Sequence, residues 1–137
     1  GANQFSYLFI NLANLCDVMQ LKYNLGVKTR KAYLSHNMQE INTLTEDYKK
    51  TEKYLKMFYG SFRELWYREN KTYGFEIQEA RLGGLMLRLA SCRERLSLYA
   101  EGKINRIEEL EEKPLHYALD DRIYCNEYEK IISASLL

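Results

Sequence analysis

The fold is decided by residues 38–70, whose sequence is MQEINTLTEDYKKTEKYLKMFYGSFRELWYREN. Mostly apolar side chains recur there in steps of three and four: Ile41, Leu44, Tyr48, Thr51, Leu55, Phe58, Phe62 and Leu65. That spacing places them on one face of an α-helix. Asn37 and Glu40 form an Asn variant of the capping box at its start. We therefore predict a helix about 50 Å long, with Gly60 as a possible kink.

The segments on either side follow the same helical spacing. A helix over residues 3–24 is predicted by a stripe expected to face the core: Phe5, Leu8, Phe9, Leu12, Leu15, Cys16 and Met19. We expect Gly26 to cap this helix, because glycine accepts the left-handed conformation easily, and a short helix to follow over 27–36. After a turn at 71–74, a helix over 75–100 is predicted by a second stripe: Leu82, Leu85, Leu89, Cys92, Leu96 and Tyr99. Gly102 is its expected cap.

Two shorter helices are predicted in the last third of the chain. Asn105 with Glu108, and Asn126 with Glu129, repeat the Asn-x-x-Glu start signal, and Pro114 ends the first helix because proline cannot continue a helix interior. An acidic run is interpreted as a solvated face: Glu108, Glu109, Glu111 and Glu112. The predicted fold class is all-α, an antiparallel bundle of three long helices with additional short helices, in a single domain over 1–137.

Composition excludes several classes of protein. The 137 residues carry a net charge of +1, which argues against a nucleic-acid binder, and no stretch approaches the roughly 20 apolar residues of a membrane span. Three widely spaced cysteines, Cys16, Cys92 and Cys125, favour reduced thiols and weakly a cytoplasmic location. The chain begins Gly1-Ala2-Asn3 without Met, so we expect a processed product or a piece of a longer protein.

No motif for catalysis, a cofactor or a metal is apparent. His36 and His116 lie outside any Glu-x-x-His pattern, and Gly83-Gly84 lies in a predicted helix interior rather than in a phosphate-binding loop. We therefore predict no catalytic, cofactor-binding or metal-binding residue.

Two features of the sequence are not required by an ordinary helical bundle, and each has two interpretations. The glycine pair costs up to about 1 kcal/mol per residue in a helix, and Gly84 shares a face with Arg81 and Arg88. This face is either a notch for a partner or a place where a neighbouring helix approaches closely. Aromatic residues are also concentrated at the end of the long helix: Tyr54, Phe58, Tyr59, Phe62, Trp66 and Tyr67. They form either an interface with a partner or part of the core of the bundle.

Residues 62–76, FRELWYRENKTYGFE, resemble a helical region of bacterial beta-N-acetylhexosaminidases of glycoside hydrolase family twenty. The resemblance continues through 81–85 (RLGGL), Arg88-Leu89 and 96–110 (LSLYAEGKINRIEEL). It is strongest over about 60–112 and looser elsewhere, and Tyr128 stands where the family pattern would have Trp.

The resemblance implies a function that the residues alone do not. In some of these enzymes a catalytic barrel precedes an all-helical C-terminal domain. The enzymes remove terminal N-acetylhexosamine with retention, using the acetamido group of the substrate as nucleophile and an Asp-Glu pair of the barrel. This chain contains no Asp-Glu dipeptide, and Glu46-Asp47 and Asp120-Asp121 are the nearest pairs. No residue of this chain can be assigned the role of the family's catalytic Asp-Glu pair, so we expect an accessory domain that is inactive alone.

The expected partner is the catalytic barrel of the same enzyme or a second subunit, with no nucleic acid and no membrane. The candidate interdomain contact comprises Trp66, Arg68, Glu69, Asn70, Arg81, Gly83, Gly84 and Arg88. Two alternatives remain open: a freestanding helical protein-interaction module, and a small-molecule binder with a pocket between its helices.

Overall fold

A computed structural model describes residues 2–112 of the chain. A short 3₁₀ turn, Ala2–Phe5, precedes four helices: α1 (Ser6–Leu34), α2 (Met38–Glu69), α3 (Phe75–Ala100) and α4 (Glu108–Glu111). No strand occurs in this part of the chain. Helix α2 packs against both α1 and α3, and α4 packs against α1. The predicted all-α class and the three long antiparallel helices are confirmed.

Helix α2 forms as predicted. The Oδ1 atom of Asn37 accepts a hydrogen bond from the backbone N–H of Glu40 at 3.1 Å, which caps the helix start. The predicted stripe is buried over its first half: Ile41, Leu44, Tyr48, Thr51 and Leu55. The helix is continuous through Gly60, because a glycine in a helix interior lowers stability without breaking the hydrogen-bond ladder.

Two predictions for helix α1 were wrong. Gly26 does not cap it, and residues 27–34 continue the same helix instead of forming a separate one. The turn at the helix end is a Schellman motif around His36, which has a φ of 51°. The N–H of His36 donates to the carbonyl of Tyr33, and the N–H of Asn37 donates to the carbonyl of Ala32. The helix persists beyond Gly26 because its buried face continues on both sides of that residue.

The stripe predicted to be the core face of α1 is mostly exposed. The N-terminal half of α1 instead meets α2 through polar side chains: Asn14 donates to Ser61 Oγ at 3.0 Å, and Ser61 donates to Asn11 Oδ1 at 3.2 Å. Leu15 is half-buried, but most of the stripe faces outward: Phe5, Leu8, Phe9, Leu12, Cys16 and Met19. The prediction was wrong because α1 carries a second helical face, which includes the buried Val18 and Leu25.

Helix α3 begins and ends as predicted, and Gly102 closes it with a φ of 69°. The start signal at Asn105 was wrong. Helix α4 begins at Glu108 after Ile107, because Ile107 is buried and its N–H bonds to the side chain of Tyr33 rather than to a cap. The remaining predicted features lie outside the described residues: Pro114, His116, Asp120, Asp121, Cys125, Asn126, Tyr128 and Glu129.

Candidate functional site

The aromatic residues at the end of α2 pack around one side chain of α3. Phe75 is 1% exposed, and it contacts four rings of α2 with centroid distances between 5.4 and 6.2 Å: Tyr59, Phe62, Trp66 and Tyr67. Trp66 Nε1 also donates to the carbonyl of Lys71 at 2.9 Å, which fixes the turn between α2 and α3. Tyr59, Phe62 and Trp66 are half-buried and form core between the two helices, the second of the two interpretations, while Tyr67 is 50% exposed at its rim.

The predicted contact residues at the end of α2 lie beside the start of α1. The guanidinium of Arg68 lies 4.6 Å from the ring centroid of Tyr7 and bonds to Glu64 at 2.6 Å. The hydroxyl of Tyr7 donates to Glu69, a hydrogen bond that raises the pKa of Tyr7. Asn70 ends the helix and is exposed. The structure thus joins this end of α2 to the N-terminal turn of α1.

The predicted glycine face of α3 is open. Arg81 and Gly84 are exposed and Gly83 is half-buried. A Cβ atom added at Gly83 or Gly84 would meet nothing within 4 Å. No helix within residues 2–112 therefore approaches the glycine pair closely. The face remains a predicted contact for another domain.

The acidic run is an exposed face, as predicted, and two of its members also pair with arginines of α3. Arg88 donates to Glu109, which raises the pKa of Arg88, and Arg95 bonds to Glu108 at 2.8 Å. The first turn of α4 holds the pKa of Glu108 below its usual value, through its own backbone N–H and then through Arg106. Arg88 is exposed, as Arg81 and Gly84 are, and its guanidinium pairs with Glu109 of α4.

Tyr33 also holds α4 in place, through a buried hydroxyl. Its hydroxyl accepts the N–H of Ile107 at 2.9 Å and donates to Glu111 at 2.6 Å. Burial raises the pKa of Tyr33, and the hydrogen bond to Glu111 raises it further. The phenol is therefore held in its neutral form, which lets one hydroxyl act both as donor and as acceptor.

An apolar row lies exposed along the outside of α1, and we call it the outer seam. It consists of Phe9, Leu12, Cys16, Met19, Tyr23 and Val27. Phe9 is 64% exposed and Val27 is 74% exposed. The steps of three and four match the repeat by which one helix packs along another. Sequence reasoning found most of these residues but assigned them to the core of this bundle.

Residues 1–126 match the family described as Glycoside Hydrolase 20C C-terminal domain. The chain belongs to this family. No curated protein matches the chain. The glycoside hydrolase 20C C-terminal domain is an accessory part of a glycoside hydrolase of family twenty, which accords with the resemblance at residues 62–110.

The described part of this C-terminal domain presents no group of three His, Cys, Asp or Glu side chains that could hold a metal ion. Glu46 on α2 is exposed and its neighbour Asp47 is half-buried, and each is paired with a lysine three residues later. Within residues 2–112, no helix is both long and apolar enough to cross a bilayer.

Sequence reasoning missed the attachment of α4 and the outward direction of the outer seam. A signal for the seam exists in the sequence, because α1 has apolar residues on two faces. Asn11 and Asn14 occupy the face that continues through Val18, Leu25 and Thr29. Within residues 2–112 only the face of Val18 and Leu25 is packed, and the seam stays exposed.

Proposed function

We propose that the chain is a non-catalytic accessory domain that packs against the catalytic barrel of a beta-N-acetylhexosaminidase-like enzyme. The parent enzyme would remove terminal N-acetylhexosamine from a glycoside, as the resemblance implies. One observation carries the proposal: a chain that belongs to a glycoside hydrolase C-terminal domain family exposes an apolar seam along α1. Exposed apolar patches of this kind mark interaction sites.

The size and pattern of the outer seam favour interdomain packing. From Phe9 to Val27 the seam is about 27 Å long at about 1.5 Å per residue. A domain joined covalently to its partner meets it at high effective concentration, so an interface of moderate size is sufficient. The catalytic barrel is the occupant we choose, because a C-terminal domain is tethered to it in the same chain.

The predicted contact residues lie outside the seam. Tyr7 lies one helical turn before Asn11, on the face of α1 that packs on α2, and contacts Arg68 and Glu69, so the end of α2 forms a separate exposed surface beside the start of α1. Arg81 and Gly84 form a second exposed face on α3. We propose that the seam and the end of α2 carry the main contact, and that the α3 face adds to it.

The test is a pair of substitutions, Leu12→Gln and Met19→Gln, made in the full-length enzyme and in the isolated domain. Both side chains are at least half exposed. The isolated domain should keep its stability within about 0.5 kcal/mol, whereas proteolysis between the domains of the full-length enzyme should become faster. Met57→Gln is the matched control, since Met57 on α2 is 47% exposed and lies outside the seam.

Three other outcomes are distinguishable. Equal proteolysis of the seam variants and the Met57 control would contradict docking through the seam. A seam-dependent dimer in light scattering would assign the surface to a second copy. A seam that binds a separate protein while the parent domains stay independent would favour the freestanding interaction module.

A further inference from the structure

A cavity of about 260 Å³ lies between α1, α2, α3 and the start of α4. Its walls include five leucines and Ile107, and Tyr48 and Thr29 lie among them with their hydroxyls 3.1 Å apart. An apolar cavity of about 150 Å³ is already large enough to bind benzene. The volume here is therefore sufficient for a small organic molecule.

Gly26 keeps one wall of this cavity open. It lies inside α1 and lines the cavity, and an added Cβ atom would meet nothing within 4 Å. A glycine at such a position costs about 1 kcal/mol relative to alanine. Gly60 is its matched counterpart, because it also lies inside a helix with open space around it but does not line the cavity.

The charged groups of the cavity are predominantly cationic. Lys22, Arg88 and Arg95 line it against a single carboxylate, Glu109. Among residues 2–112, Lys22 makes no ion pair, whereas Arg88 pairs with Glu109 and Arg95 pairs with both Glu108 and Glu109. The Nε atom of Arg95 is buried without a hydrogen bond, and 3.7 Å separate it from the nearest oxygen of Glu109. The wall thus offers donors to an anion beside an apolar interior.

We propose that this cavity binds a small molecule with an apolar body and one carboxylate group. The apolar part lies between Leu25, Leu85 and Leu89, and the carboxylate lies against Lys22 and the guanidinium groups. Sites of this kind combine a mostly apolar lining with a few placed polar groups that fix the orientation of the ligand. The proposal goes beyond the accessory role and does not depend on docking to the barrel.

The test is calorimetric titration of the 137-residue chain with octanoate, with octan-1-ol as the uncharged analogue. Octanoate should bind with one-to-one stoichiometry and about tenfold more tightly than octan-1-ol, because only the carboxylate gains the cationic contacts. Lys22→Gln should remove most of this preference while the affinity for octan-1-ol stays unchanged.

The location is tested by Gly26→Leu against Gly60→Leu. The first substitution should fill the cavity and weaken octanoate binding at least about tenfold, and the second should leave it unchanged. Thiol alkylation gives a second measurement without any variant: octanoate should protect Cys92, which lines the cavity, and leave the exposed Cys16 reactive.

Three results would overturn the proposal. They are the absence of saturable octanoate binding, equal affinity for octanoate and octan-1-ol, and full binding by a folded Gly26→Leu variant without protection of Cys92. The last result would place the bound molecule elsewhere, for example on the outer seam.

Discussion

Tyr33 connects three helices through one side chain. It belongs to α1, its ring lies 5.0 Å from the ring of Tyr99 on α3, and its hydroxyl bonds to Ile107 and Glu111 at α4. Because the N–H of Ile107 is buried, removal of its acceptor leaves it unsatisfied, which is more costly than the loss of an exposed hydrogen bond. The attachment of α4 therefore depends strongly on this hydroxyl.

Tyr33→Phe should lower the free energy of unfolding by about 1–3 kcal/mol. Tyr99→Phe is the control, since the Tyr99 hydroxyl meets only the exposed His36 at 3.2 Å, and its loss should cost less than about 0.5 kcal/mol. Urea denaturation measures both values. Equal effects of the two substitutions would mean that the hydroxyl of Tyr33 does not hold α4.

Gly84→Ala tests whether the open face of α3 is a contact. In the isolated domain it should stabilise by up to about 1 kcal/mol, because alanine favours helix and meets nothing within 4 Å. In the full-length enzyme it should weaken docking or activity, whereas Gly60→Ala should not. Chemical denaturation and interdomain proteolysis provide the measurements. Unchanged docking and activity of the full-length Gly84→Ala enzyme would remove this face from the proposed interface.

At the scale of the element, the sequence predicted α2 and α3 closely because each has one dominant apolar stripe and a clear boundary signal. Asn37 caps the start of α2, and Gly102 closes the end of α3. Helix α1 was less predictable. Gly26 permits a helix end without requiring one, and the choice between its two apolar faces depends on tertiary contacts such as Asn14 with Ser61.

The candidate surface was predictable only in part. The residues at the end of α2 and the glycine pair are recognisable in the sequence, but the pairing of Arg88 with Glu109 joins residues 21 positions apart. Such a contact depends on how the chain returns after Gly102. The cavity was unpredictable for the same reason, since its wall combines side chains from all four helices.

Two buried tyrosines, Tyr33 and Tyr48, predict a dependence of stability on alkaline pH. Burial raises the pKa values of Tyr33 and Tyr48, so the folded state favours the neutral phenols. Their stabilising contribution is complete below pH about 10, the ordinary pKa of tyrosine, and is lost as the pH rises through their higher folded values.

Thermal melts followed by circular dichroism should therefore show a Tm that is steady near neutral pH and falls above pH 10. The Tyr48→Phe variant should lose less Tm over the same alkaline range than the wild-type chain, although its Tm near neutral pH is lower because the bond to Thr29 is absent. An equal alkaline loss in both proteins would show that Tyr48 does not contribute to it.

At the scale of the whole molecule, one side of α1 is packed against α2 and α4, and the opposite side leaves an apolar surface exposed. Helix α2 is packed between α1 and α3, and α4 is held by Tyr33 and two arginines. The outer seam of α1 meets none of these elements and stays exposed. A domain of a glycoside hydrolase 20C enzyme with such a surface is suited to packing against a neighbouring domain.

The most direct measurement is size-exclusion chromatography with light scattering on this chain mixed with the catalytic domain of its parent enzyme, with every fraction assayed on p-nitrophenyl N-acetylglucosaminide. We expect the chain to elute with the catalytic domain as a one-to-one complex, and the chain alone to hydrolyse nothing. Separate elution of the two proteins, or hydrolysis by the chain alone, would contradict the assignment of a docking, non-catalytic domain.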